Sequence, residues 1–264
     1  MDSLPARGAA VRRLGLRIPP ARMPLVQARR PLKRWRYLGV YGRELMLCVA
    51  DARVGGIRQR WWAVALPDGT LLEGTRGVEL SPGRARVRGV LDLELDEPGG
   101  VEVVSPDGRS YIWTRKSAPV FVRGSVTAGG RRFELDGDDG FLDESAGYHA
   151  RHTAWRWSAG VGRTDDGRRV AWNLVDGVHD GATSERTVWL AGEPREVPAQ
   201  EFADDLSRVG DLDFRAWSVR ESRMNLLVLR NRYRQPFGEF SGELPCGIRL
   251  AEGYGVMEEH DVLW

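Results

Sequence analysis

The stretch DESAGYHARHTAWRWSAGVG, residues 143–162, crowds acids, histidines, arginines and tryptophans into twenty positions. Asp143 follows Phe141 and Leu142 and precedes Tyr148. Apolar neighbours desolvate a carboxyl group and raise its pKa, and a neutral carboxyl can protonate an alkene or a carbonyl oxygen. The plainer alternative is that Asp143 continues DGDDG, residues 136–140, as turn decoration. His149 titrates near neutrality and suits proton transfer at a cavity mouth, or is a solvated loop residue. His149 and His152 stand three apart, a metal-binding interval on a helix but opposite faces on a strand. No third ligand with suitable spacing follows, so no metal site is expected.

In GVMEEHDVLW, residues 255–264, Glu258 and His260 fall on one strand face, roughly 6.6 Å apart along the chain. They fit a base and its orienter, or a structural Glu–His hydrogen bond. Asn173 and Glu185 interrupt apolar runs, and an unpartnered buried polar group is costly. Each therefore pairs internally or faces a ligand. The candidate catalytic residues are Asp143, Glu258 and His260; the candidate ligand contacts are Tyr148, His149, Arg151, Trp155, Trp157, Asn173 and Glu185.

The elements that must position these residues read as strands. Short aromatic and β-branched runs are separated by Pro67-Asp68-Gly69, Pro106-Asp107-Gly108, Gly129-Gly130 and Asp165-Asp166-Gly167, pairs that supply the positive φ of tight hairpins. On a strand over 151–161, Arg151, Thr153, Trp155, Trp157, Ala159 and Val161 share one face. Small barrels fill their interiors with apolar side chains, so this face is expected inside, with Arg151 at the rim and His152 pointing away. PAQEFADDLSRV, residues 198–209, has the helical spacing Phe202, Leu206, Val209. An internal repeat is also visible. Trp35-Arg36-Tyr37 matches Trp155-Arg156-Trp157, and RFELDGDDGFLDE (132–144) matches IRLAEGYGVMEEH (248–260) at an offset of 116. Two related β-modules follow from that order.

The 264 residues carry ten tryptophans, six tyrosines and seven phenylalanines, enough large aromatics for a sizeable core. Cys48 and Cys246 have no metal or redox spacing and read as buried small hydrophobes. The chain lacks a secretory h-region and any 18-residue apolar run, which predicts a cytoplasmic protein without stable membrane insertion. Net charge is +2, yet ten basic residues lie between Arg7 and Arg36 with no acid between Asp2 and Glu44. Residues 1–33 are read as a Pro/Arg-rich lead-in wrapped on the outside, or as an arm steering toward a polyanion. Lysine occurs only at Lys33 and Lys116, so the arginine excess reads as coding bias. Without a phosphate loop, dinucleotide fingerprint or nucleophile elbow, no cofactor and no nucleic-acid partner are expected.

The blocks KRWRYLGVYGRELMLCVADARVG, QRWWAVALPDG, DESAGYHARHTAWRWSAGVG, NLVDGV, SERTVWLAGE and EGYGVMEEHD resemble the domain of unknown function 2804 family from about Arg34 to Trp264. That family is distantly similar to tandem lipocalin-like proteins that include carotenoid hydratases and tocopherol cyclase. The resemblance implies an all-β fold of two tandem lipocalin-like antiparallel β-barrels or half-barrels with one or two short helices, divided into modules 34–142 and 143–264. It implies a cavity for an isoprenoid, lipid or polyketide-like hydrophobic small molecule. Two readings follow: a binder of such a molecule, or a hydratase, cyclase or isomerase using an acid in an apolar pocket without a cofactor. The similar enzymes carry an Asp before an aromatic-Gly turn, which Asp143, Gly147 and Tyr148 match except that ESAGYH lacks the tryptophan usual there.

Overall fold

A computed structural model describes residues 4–181, 183–226 and 229–264. Apart from a two-stranded hairpin, Val26–Gln27 with Arg30–Pro31, the strands form two antiparallel sheets of eleven and eight. In each sheet the first long strand, Lys33–Tyr41 or His152–Thr164, lies centrally. It pairs on one side with the next strand, Met46–Val54 or Arg169–Asp176. On the other it pairs with a strand far along the chain, Arg131–Gly147 or Ile248–Leu263. Ser110–Ala128 and Leu229–Leu244 follow as the next strands outward. The common order is the structural form of the repeat, and each sheet curls into a barrel-like half.

The turn chemistry accounts for the hairpins. Gly129 and Gly130, at φ 56° and 74°, join Ala128 to Arg131, a two-residue connection that needs positive φ at both positions. Pairing register corrects the repeat offset near the seam. Tyr37 pairs with Asp143 and Trp157 pairs with Glu258, so Asp143 corresponds to Glu258, 115 residues later rather than 116. A bulge at Gly137 in one strand and at Ala251 in its counterpart interrupts the register. A constant sequence offset cannot follow both.

Each half has its own apolar interior. Leu38, Leu47, Val49, Leu93, Val120 and Leu142 fill the first; Trp172, Leu174, Leu206, Phe240 and Met257 fill the second. A third layer, including Tyr37, Met46, Phe141, Trp157, Phe237 and Val256, lies between the halves. The indole face of His152–Thr164 therefore looks across the seam toward the other half, not into its own barrel. The opposite face is already occupied: Trp172 donates from Nε1 to Ser158 Oγ at 3.1 Å. Its ring crosses Gly160, where a Cβ would meet it at 2.2 Å. Only glycine admits that approach.

Residues 198–207 form a loop and Arg208–Val209 a short strand, rather than a helix. Phe202 bridges Val209, and Asp205 Oδ1 accepts hydrogen bonds from the Ser207 N–H and hydroxyl. Such local side-chain bonds compete with helix, while Phe202, Leu206 and Val209 plug the second interior. The helix of the described residues is the six-residue 3-10 turn Gly8–Arg13. It packs with Tyr111, Trp113 and Tyr148 on the outside of the first sheet. Arg7 then reaches the second half, donating to the Ser184 carbonyl at 2.6 Å and Thr187 Oγ1 at 2.8 Å. Cys48 is buried but Cys246 is exposed in a turn, contrary to its reading as a core residue. No helix among the described residues is long and apolar enough to cross a membrane.

Candidate functional site

Between the halves lies a cavity of about 650 Å³. Strand alternation aims Lys33, Trp35 and Tyr37 into it from one half and Trp155 and Trp157 from the other. Trp35 donates from Nε1 to Asp143 Oδ2 at 3.1 Å; Trp155 donates from Nε1 to Glu258 Oε1 at 2.9 Å. The two indoles stack across the seam with centroids 6.4 Å apart and planes within 9°. The second oxygen of each carboxyl group is held from the neighbouring strand. Lys116 Nζ donates to Asp143 Oδ1 at 2.5 Å, and Gln235 Nε2 donates to Glu258 Oε2 at 3.0 Å. The repeat thus supplies one unit of indole, carboxyl and long donor twice, with an ammonium in one copy and an amide in the other.

That single difference separates the two acids. Burial raises the Glu258 pKa to about 7, helped by the nearby Asp143 charge and opposed by the Trp155 hydrogen bond and by Tyr233. Its donors are neutral, so nothing restores the charged form fully. Burial and the Glu185 charge push the Asp143 carboxyl up, while Lys116 pulls it down. Lys116 also lies 3.2 Å from Glu185 Oε1. Burial alone would lower the ammonium's pKa, but two carboxylates outweigh it and hold it above the ordinary lysine value. For Glu185, burial is overcome by Lys116 and His179, and its pKa falls. One cation faces two carboxylates, and the buried trio keeps its charge by sharing it.

Two imidazoles of the wall are held toward their neutral form. Burial, with His179 and Lys33 nearby, holds His149 well below its usual value; burial takes His260 to about 3 against the opposing Asp261 charge. Both His149 ring nitrogens and Trp61 Nε1 are buried without a hydrogen-bond partner in residues of the cavity wall. An orphaned polar atom costs about 1–3 kcal/mol, a cost the wall carries just beneath its surface.

Of the sequence candidates, Asp143, Glu258, His260, His149, Trp155, Trp157 and Glu185 line this one cavity. Glu258 and His260 are not bonded to each other; His260 Nε2 meets Asn231 Oδ1 at 2.5 Å and its ring packs on Trp155. The other three candidates lie elsewhere. Tyr148 points to the outer face and donates to the Pro24 carbonyl at 2.8 Å. Arg151 is exposed. Asn173 is a brace, accepting from Trp157 Nε1 at 2.8 Å and donating to the Glu185 carbonyl at 3.0 Å. His152 pairs outside with Asp261.

Sequence reasoning missed Trp35, Gln235, Lys33 and Lys116. Trp35 was signalled by its match to Trp155. The lysines were signalled by rarity: they are the only two in the chain, and both line the cavity. A second depression of about 400 Å³ lies at the other end of the seam, where Glu252 is paired with Arg43 and Asp139 with Arg163 and Arg169.

Fold and site together define a two-halved all-β protein with an aromatic cavity at its seam. The chain belongs to the family described as domain of unknown function DUF2804, which matches residues 70–264. No curated protein matches the sequence. Three solved structures resemble it in outline. A protein provisionally assigned as AttH from Nitrosomonas europaea is 12% identical, with 92% of this chain and 97% of that one covered and a TM-score of 0.43. CghA is 11% identical, with 88% of each chain covered and a TM-score of 0.43. Kievitone hydratase from Nectria haematococca is 9% identical, with 86% and 88% covered and a TM-score of 0.41.

Proposed function

We propose that the protein binds an apolar small molecule, isoprenoid, lipid or polyketide-like, in the cavity between its halves. The parallel Trp35 and Trp155 indoles supply apolar lining for such a body. The ionisable groups of the wall, Lys33 and Glu258 among them, orient the guest's polar end. Cavities of this kind, apolar with a few convergent polar groups, are the usual form of small-molecule sites.

A second reading, an acid-dependent hydratase, cyclase or isomerase, is favoured by one observation: the Glu258 carboxyl is buried in the cavity wall and bonded by the neutral donors Trp155 and Gln235, and burial pushes its pKa up to about 7. A proton donor works best when its pKa is near the working pH. Glu258 is the donor in this reading, and Trp155 and Gln235 orient it. Asp143 is tied up by Lys116 and acts through its charge, which helps keep Glu258 protonated.

Native mass spectrometry of protein purified from its own host tests the binding reading by looking for a co-purifying apolar molecule. Retention of that molecule by Glu258→Gln with loss of its conversion supports catalysis. Conversion undiminished in Glu258→Gln removes the second reading and leaves the first.

A further inference from the structure

The chain has 39 lysines and arginines together, and lysine supplies two of them. Both are buried in the wall of one cavity. Lys116 is engaged by two carboxylates, but Lys33 is not held this way. Its Nζ donates to the His149 and Ala150 carbonyls, each at 3.1 Å, and lies 4.3 Å from the Trp264 ring centroid. Backbone dipoles and an aromatic face stabilise an ammonium less than a carboxylate does. Burial accordingly takes the Lys33 pKa down to about 7, with Arg30 adding to the effect and Asp107 opposing it. An amine of this kind is free to act as a nucleophile near neutral pH.

Its place in the fold also suits a guest entering from solvent. Lys33 pairs with Val54, and Val54 with Ile57, an exposed residue that lines the open end of the cavity. Trp35 and Tyr37 follow on the same face of the strand, and Tyr37 pairs with Asp143. Four residues of strand put the amine about 13 Å from that deeper level.

We infer that Lys33 captures aldehydes or ketones carrying an apolar body as a reversible imine. The amine lone pair forms the C–N bond, and the carbonyl π pair takes up a proton to give a carbinolamine. Loss of one water then leaves the protonated imine, with no oxidant or reductant needed. The carbonyl oxygen takes its proton from water, and a proton of the cationic nitrogen departs with the hydroxyl as the lost water, so the step balances as amine plus carbonyl plus one proton giving protonated imine plus water. The inference rests on reading the cavity as a small-molecule site, but not on acid catalysis by Glu258.

The test is reductive trapping. Full-length protein is incubated with decanal and sodium cyanoborohydride from pH 5.5 to 9, then weighed intact and mapped by peptide mass. A single adduct on Lys33 is expected, rising with a midpoint near pH 7 and reduced at least tenfold in Lys33→Arg, which keeps charge and donors but cannot form an imine. Decanol, lacking the carbonyl, should quench indole fluorescence and slow the labelling of wild-type protein, so the result does not depend on the variant folding. Label confined to the N-terminal amine or Lys116, or equal in Lys33→Arg, overturns the inference. Decanol binding without a Lys33 adduct removes the imine alone; no binding by either probe, with no adduct, removes the cavity reading with it.

Discussion

Replacing Glu258 by Gln should make the protein more stable at alkaline pH and erase one component of its pH dependence. An unfolded glutamate titrates near its ordinary value of 4.5, whereas the folded one does so at about 7. The folded state therefore binds the proton more tightly, and stability falls as pH rises through this window. The penalty is about 0.4 kcal/mol at pH 4.5 and grows to about 3 kcal/mol by pH 8, where it levels off. A neutral glutamine escapes it. The substitution does disturb two hydrogen bonds, from Trp155 Nε1 and Gln235 Nε2. Gln235 Oε1 has no partner, so its amide can turn over and accept from the new side chain, limiting the loss to about 1 kcal/mol. The variant should be more stable by about 2 kcal/mol at pH 8, or about 4 °C in Tm for a chain of this size. At pH 4.5 it should be slightly less stable. Urea titrations followed by tryptophan fluorescence at both pH values measure the difference, in which contributions from other groups cancel. Equal stability differences at pH 4.5 and 8 would refute the assignment of a displaced pKa to Glu258.

Other substitutions probe the same frame. Lys116→Met leaves Asp143 and Glu185 buried without their cation and should destabilise by about 3–5 kcal/mol; calorimetry should find the loss shrinking in acid as the carboxyl groups take up protons. Gln235→Lys places an ammonium beside Glu258 and should pull its pKa below 7, read as loss of the stability slope between pH 5 and 7 in urea titrations. Arg7→Ala removes the hydrogen bonds to Ser184 and Thr187 and should lower stability by about 2 kcal/mol, with amide exchange accelerated first around residues 184–187.

The hairpins were legible because Asp-Gly and Gly-Gly pairs dictate backbone sign locally, as Gly129 and Gly130 illustrate. The repeat was legible because Trp-Arg-aromatic recurs. What period-two alternation cannot reveal is which side of a curled sheet is the inside. Trp155 and Trp157 were correctly grouped on one face, but that face meets the other half because Trp172 and Leu174 already fill the barrel. Residues 198–209 misled for a related reason: a loop that plugs a barrel presents apolar residues at helix-like intervals, while the Asp205 turn decides the backbone. Tyr148 was unreadable as an outer-face residue until the N-terminal segment packed over it.

The site's chemistry comes from divergence between copies more than from any local motif. Had both copies kept lysine, each carboxyl would have an ammonium partner and neither would hold a proton near neutral pH. Had both carried glutamine, two buried acids would stand in one cavity without an ammonium bonded to either, each disfavouring ionisation of the other. With Lys116 on one side and Gln235 on the other, Asp143 stays within an ion-paired cluster and its charge raises Glu258. Two carboxyl groups, each bonded by an indole, are thereby given different affinities for a proton by one exchanged donor. Lys33 belongs to the same asymmetry. Its counterpart two positions before Trp155 is Thr153, which donates to the Ala150 carbonyl at 3.0 Å, one of the two carbonyls that hold the Lys33 amine. Amine and hydroxyl thus converge on one carbonyl at the same end of the seam, and of the two only the amine lines the cavity.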